Sequence, residues 1–312
     1  MSHPEKIYCI VVTYNAENWI EKCLNSVLQS TVACIVLVLD NKSEDRTPEI
    51  IKNQYPQVTF IQNNENLGFG KANNKAIQLA YDAGADYFFL LNQDACVEHQ
   101  TIEYLVEKLR QHPEYGILSP LQYYNSEKLD RKFKSYLKGM DENSIQKLSA
   151  EERDFVVEVR FVNAALWLMS RRCIETVGLF APIFDHYGED QNYAHRCKFH
   201  QLKMGVYLKA TGYHEREQLP VKDKNTTLKK LLVRDKHLCL TILMNLKHSY
   251  SRQWLFFVFT LLREFFKNMV LLKFKTIMVI LYRINFIVSI SKLKDQSKQT
   301  KKTGSFLKPM IY

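Results

Sequence analysis

Apolar positions along the first 120 residues follow two signatures in alternation. Short unbroken runs at Ile7–Thr13, Cys34–Leu39, Val58–Ile61 and Tyr87–Leu91 have the length and continuity of strands buried on both faces, as parallel strands are. Between them apolar residues recur three and four apart, as in Trp19, Ile20, Cys23, Leu24, Val27 and Leu28, which predicts amphipathic helices. Thr47-Pro48 reads as an N-cap with proline at the first helical position. Asn66-Leu-Gly-Phe-Gly70 reads as a turn feeding a helix that runs to about Asp82, and Thr101–Gln111 as another helix. Strand and helix in alternation build a mainly parallel sheet with right-handed crossovers.

Past Ser119-Pro120 the pattern loosens. Residues 125–154 are rich in Lys, Glu, Asp and Ser with little periodicity, which predicts an insertion near the active edge, either mobile or simply solvated. Phe161–Met169 resumes as an apolar strand, 178–184 is a turn-rich approach to Glu189-Asp190, and Met204–Leu208 is a last short strand. With 312 residues, 46% of them hydrophobic, the chain can bury a full core, and one large domain plus an appendage is expected. The appendage begins near residue 221 and carries the charge: 19 Lys and Arg against 4 Asp and Glu, where residues 1–220 are net acidic.

Those cations interleave with apolar runs around Trp254, Phe256, Met269 and Ile277, a pattern that suits an anionic membrane surface better than nucleic acid. The expectation is of amphipathic helices over 228–293 on the cytoplasmic face of the membrane, with Trp254 and Phe256 as anchors and Arg263, Lys267, Lys273 and Lys275 meeting lipid phosphates. A helical subdomain packed on the core or forming a homodimer is the other reading. No apolar stretch reaches about 18 residues without a charge, so spanning helices are not expected. Seven scattered cysteines with no C-x-x-C pair argue for free thiols in a reducing compartment, and residues 1–6 do not read as a signal peptide, so none is expected ahead of the first strand.

The candidate chemistry lies where strands end. Tyr14-Asn15, Asp40-Asn41 and Asn92-Gln93-Asp94 follow predicted strands, and Glu189-Asp190 opens a helix. In an alternating sheet these ends share one edge, and ligands bind in the crevice there. Carboxylates crowded together repel one another unless a metal or cationic ligand sits among them. This is the layout of a nucleotide-sugar site.

The ordered set Val12-Thr13-Tyr14-Asn15, Asp40 to Thr47, Asn63 to Gly70, Leu90-Leu91-Asn92-Gln93-Asp94 and Tyr187-Gly188-Glu189-Asp190 resembles the motif series of family 2 glycosyltransferases, in its rhamnosyltransferase-like form. The resemblance covers about residues 5–216. It implies the nucleotide-diphospho-sugar-transferase (GT-A) fold, an α/β Rossmann-like sheet, here with a C-terminal helical extension. It also implies an inverting transfer of one sugar to a hydroxyl of a lipid-linked or surface-glycan acceptor.

On that resemblance Asp40 accepts hydrogen bonds from the base, with Thr13, Tyr14, Asn15 and Asn41 beside it. Asn92 and Gln93 meet ribose or sugar, Asp94 binds Mg²⁺ or Mn²⁺, and His214, placed in a loop after a strand, joins the same metal. Asp190, with Glu189 beside it, is the general base. Gly70, Lys71, Asn73 and Asn74 lie at a helix start, where backbone N–H groups favour anions. Each residue also has a plain structural reading: Asp40 as a turn cap, Tyr14 and Trp167 as core, His214 as a satisfied polar group, Arg196 as a brace. The Gln-x-x-Arg-Trp of processive synthases is absent. A nucleotidyltransferase would want a Gly-rich basic loop after the first strand, where Ala16-Glu17-Asn18 stands. A non-catalytic membrane scaffold would tolerate loss of the acids, all of which are present.

Overall fold

The computed structural model describes residues 5–124, 128–137, 140, 142–185, 187–215, 239–270, 278, 280, 281 and 293–308. The N-terminal half is β1 (Ile7–Thr13), α1 (Ile20–Leu28), β2 (Cys34–Asp40), α2 (Thr47–Gln54), β3 (Thr59–Gln62), α3 (Gly68–Asp82) and β4 (Tyr87–Asn92). There follow β5 (Ala95–Val97), α4 (Thr101–Gln111), β6 (Tyr115–Tyr123), the short helices α5 (Arg131–Lys134) and α6 (Glu142–Lys147), and β7 (Val156–Val159). Then come β8 (Leu166–Ser170), α7 (Arg171–Val177), α8 (Glu189–Phe199), β9 (Lys203–His214), α9 (Tyr250–Val270) and α10 (Leu293–Gln299).

The sheet runs β3-β2-β1-β4-β8-β6-β9-β5, with β7 also on β9. Its first four strands are parallel, as the alternation predicts. Beyond β4 the pairing is mixed, because β8 lies antiparallel to both β4 and β6. Successive residues of the central strands face opposite layers: Cys9, Val11, Val36 and Val38 meet α1, α2 and α4, while Ile10, Leu37, Leu39 and Phe88 meet α3, α7 and α8. Burial on both faces explains the unbroken apolar runs, each fully buried large side chain contributing about 1.5–3 kcal/mol.

Several elements depart from the sequence expectations. At Ser119-Pro120, past which the pattern loosens, the chain is inside a strand not expected from the sequence: Pro120 lies within β6, at a register shift against β9 between Pro120 and Leu121. The insertion is folded where described: Leu129, Phe133, Leu137 and Ile145 are buried in the main core, and Tyr136 packs edge-on to Phe161 at 5.2 Å. Thr47 does not cap its own helix. Its hydroxyl accepts from the Ala16 amide at 2.7 Å and so ties α2 to the turn after β1. Trp167 is fully buried, donating Nε1–H to the Val162 carbonyl and stacking on Phe180. All seven cysteines are free thiols.

The C-terminal region closes against this domain. Leu240, Leu243, Met244, Phe257 and Leu261 surround Ala181 and Phe184 in a third cluster. Trp254 is part of it, stacked on Phe257, so it points inward and Phe256 is the exposed aromatic. Farther on, Gly304 N–H donates to the Thr176 carbonyl and Leu179 N–H to that of Ser305. The opposite face of α9 exposes Leu255, Phe259, Leu262, Phe266 and Met269 at alternating four- and three-residue spacing. Lys273, Lys275 and nearly half of the expected 228–293 helical span fall outside the described residues, while Arg263 and Lys267 lie on α9.

Candidate active site

Register places the strand-end residues along one edge: Thr13 opposite Asp40, Asp40 opposite Gln62, and Val12 opposite Asn92. At this edge lies a cleft of about 430 Å³ lined by Thr13, Tyr14, Asn41, Gly68, Asn92, Asp94 and Tyr187 among others. A larger hollow, about 600 Å³, lies beside α1 and β5. Its carboxylates are already engaged, Glu98 by the Tyr213 hydroxyl and Glu215 by Lys22, so the chemistry belongs to the smaller cleft.

Asp40 is fully buried, and its two oxygens accept from the Thr13 hydroxyl at 2.8 Å, the Ser43 hydroxyl, the Ser43 amide at 2.9 Å and Gln62 Nε2 at 3.1 Å. A carboxylate has about four acceptor positions, and all four are filled. Only the Gln62 partner is exposed. Asn41 is buried too, its amide oxygen taking Asn63 Nδ2–H and the Leu67 amide, so it fixes the turn before α3. Asn15, in the left-handed region at φ +50°, accepts from the Glu44 amide and holds the loop after β1 against that after β2. Gln93 pins Tyr14: its Oε1 accepts from the Tyr14 amide at 2.7 Å and its Nε2 donates to the Tyr14 carbonyl at 3.2 Å. The Tyr14 ring is left exposed at the cleft mouth.

The start of α3 is arranged differently from the anion cradle expected. Gly68, not Gly70, forms the cleft wall; at φ +73° a Cβ there would stand 2.3 Å from the Asp185 carbonyl oxygen. Gly70 packs against Glu189 and Phe180. Asn73 is buried and bonds back to the Phe69 carbonyl, and Asn74 clamps the Phe180 backbone from both sides. Lys71 reaches the rim and pairs with Asp185 at 3.3 Å.

The pairing of Ala95 with His214 brings two distant segments together. His214 is therefore the last residue of a strand and not part of a loop. Its Nε2 lies 3.4 Å from Asp94 Oδ1 and 3.4 Å from Asn92 Nδ2, while its buried Nδ1 has no hydrogen-bond partner. Among the described residues no three His, Cys, Asp or Glu side chains cluster. Two protein ligands fit Mg²⁺ or Mn²⁺, which keep positions for phosphate oxygens and water, and do not fit a closed structural site.

Asp190 is half-buried at the N-terminus of α8. Burial raises its pKa, opposed by amide hydrogen bonds from Gln191 and Ala164. The 164–165 loop links the two halves of the site, since Asn92 N–H donates to the Ala165 carbonyl. Glu189 points the other way, beneath Gly70, with one oxygen buried and unpartnered. Burial first, and Asp190 second, push its pKa from 4.5 up to about 7.

That shift has a stability consequence. Protonation of Glu189 favours the fold, so its contribution is whole below pH 4.5 and is lost as pH rises through about 7. Wild type should lose on the order of 1–3 kcal/mol of stability between pH 5 and 8 that Glu189→Gln retains. Urea unfolding at the two pH values checks this; equal pH slopes would contradict it. Arg196 is wholly buried, with Nη1 donating to the Leu179 carbonyl and Nη2 to that of Val177, so it braces the turn ahead of the site.

Comparison with known proteins agrees with this geometry. The chain is 32% identical over 121 residues to the N-acetylglucosaminyl-diphospho-decaprenol L-rhamnosyltransferase of Mycobacterium tuberculosis, covering 36% of this chain and 39% of that protein. It thus spans well under two thirds of that relative. Among solved structures it resembles Staphylococcus aureus TarS 1–349 in complex with UDP, with TM-score 0.51, 18% identity, and 80% of this chain and 68% of that one covered. It also resembles the mannosyltransferase PcManGT of Pyrobaculum calidifontis in complex with GDP-Man and Mn²⁺, with TM-score 0.54, 16% identity, and coverage of 96% and 74%. These two likenesses establish the GT-A fold. Residues 8–178, more than half of the chain, match the family described as "Glycosyl transferase family 2", and the chain belongs to that family.

Proposed function

We propose that this chain transfers a single sugar from a nucleotide-diphosphate sugar to a hydroxyl of a glycan or lipid-linked acceptor, with inversion at the anomeric carbon. The observation that carries the reading is the convergence of Asp94, Asn92 and His214 at one strand edge, joined through the 164–165 loop to Asp190. Tyr14 and Asn41 border the nucleotide end. A base N–H reaches Asp40 by displacing Gln62, its longest and only exposed partner. Asp94 and His214 would hold Mg²⁺ or Mn²⁺, whose charge opposes that growing on the leaving diphosphate. Asp190 takes the acceptor proton while the acceptor oxygen bonds to the anomeric carbon, and the diphosphate departs with the electrons of the broken C–O bond.

The same proposal seats the protein on a membrane. Among the described residues no helix is long and apolar enough to cross one. The exposed stripe of α9 sets five large apolar side chains in a row, and Arg263 and Lys267 run beside it. Apolar side chains entering the lipid interface, with cations at anionic headgroups worth about 1 kcal/mol each, account for both features. Full-length protein should float with vesicles containing anionic lipid, and Phe259→Glu with Phe266→Glu should stay at the bottom of the gradient. Flotation indifferent to those changes would contradict the seating.

Turnover is tested by incubating purified protein and Mn²⁺ with a panel of UDP-, dTDP- and GDP-sugars. One donor should release its nucleoside diphosphate, at a rate that rises with added glycan or lipid-linked acceptors; no release from any donor overturns the reading.

A further inference from the structure

Tyr187 stands in the left-handed region at φ +67°, where an aromatic side chain costs about 1–2 kcal/mol relative to glycine. The surrounding contacts hold it there from both sides. Upstream, Asp185 pairs with Lys71, and its carbonyl lies against Gly68. Downstream, Gly188 takes φ +89° with no room for a side chain, its would-be Cβ 2.9 Å from the Thr241 hydroxyl and 3.1 Å from the buried Phe184 ring.

The Tyr187 residue is 65% exposed, the most exposed aromatic outside α9 among the described residues. Tyr187 lines the cleft together with Gly68, Phe69, Asp94 and the exposed Tyr14. Along the chain it stands three residues before Asp190, the proposed base.

We propose that Tyr187 is a positioning residue that covers the donor sugar, its ring against the sugar's C–H face, and keeps water from the anomeric carbon until the acceptor arrives. This rests on the glycosyl-transfer reading above. An aromatic face contact suits a sugar ring, and removing the cover admits water as a competing acceptor. Loss of the ring should therefore change how turnover is partitioned as well as its rate.

The test uses the full chain with whichever donor of the panel is turned over, comparing Tyr187→Phe, Tyr187→Ala and Tyr187→Gly for donor KM, the ratio of donor hydrolysis to transfer, and Tm. The Ala and Gly variants should raise donor KM by about 3- to 10-fold and shift turnover toward hydrolysis. Tyr187→Phe, which keeps the ring, should restore both. Tyr187→Gly, relieved of strain, should melt no lower than wild type, which separates the lost ring from a damaged fold. If Ala and Gly match wild type in KM and hydrolysis ratio, or if Phe is as impaired as Ala, the covering role is overturned. Wild-type protein that binds donors and neither transfers nor hydrolyses them overturns the glycosyl-transfer reading and the role of Tyr187 together.

Discussion

Asp190→Asn is expected to lower turnover by about 10²- to 10⁴-fold, the usual contribution of a general base. The change keeps size and polarity but removes the proton acceptor. Nucleotide-sugar affinity should hardly move, because in the proposed mechanism the base faces the acceptor and not the diphosphate. The pH profile adds a second signature. Burial raises the Asp190 pKa, so wild-type turnover should fall as pH drops through that raised value, and the residual Asn activity should lack that acid limb. Steady-state kinetics across pH 5 to 8 check both. A variant within about threefold of wild type would remove Asp190 from the role of base.

Asp94→Ala is the second change expected to act strongly, and at a different step. Calorimetric titration with a nucleoside diphosphate should show Mn²⁺-dependent binding in wild type and little dependence on Mn²⁺ in the variant. Losing a charged partner costs about 1.5–3 kcal/mol, or roughly 10- to 100-fold in affinity. The backbone should persist, since the Asp94 carbonyl accepts the Glu215 amide whatever the side chain is. Asp40→Ala should weaken nucleotide binding and leave its dependence on Mn²⁺ intact. Metal-dependent binding that survives in Asp94→Ala would remove Asp94 from the metal site.

The parallel half of the fold was legible because β1, β2 and β4 are buried on both faces and write their length directly as apolar runs. β5, β6 and β7 were not. β5 has three residues, β6 carries Pro120 in its interior, and β7 follows the polar insertion, so none yields a clean run. Strand-end polarity located the edge, and Asn92, Asp94 and His214 meet there although 122 positions separate Asn92 from His214.

What periodicity could not convey is how polar groups at that edge are shared out. Asp40, Asn41, Gln93 and Asn73 bond mainly to the protein's own backbone and side chains, an outcome fixed by tertiary neighbours such as Ser43, Asn63 and Leu67. Gly68 and Tyr187 were present in the quoted motifs, but their positive φ angles accompany tertiary contacts, Asp185 against Gly68 and Gly188 against Phe184 and Thr241, that periodicity does not show. The tail showed its basic, apolar character in composition. Its division into one face packed on Phe184 and another turned outward depends on contacts far along the chain.

The central claim is a single displacement at the anomeric carbon, with one carboxylate as base and no covalent glycosyl-enzyme intermediate. NMR of the product from a donor of defined anomeric configuration tests it most directly, through the anomeric coupling of the new glycosidic bond. The account predicts the inverted anomer. A product that retains the donor's configuration would contradict it.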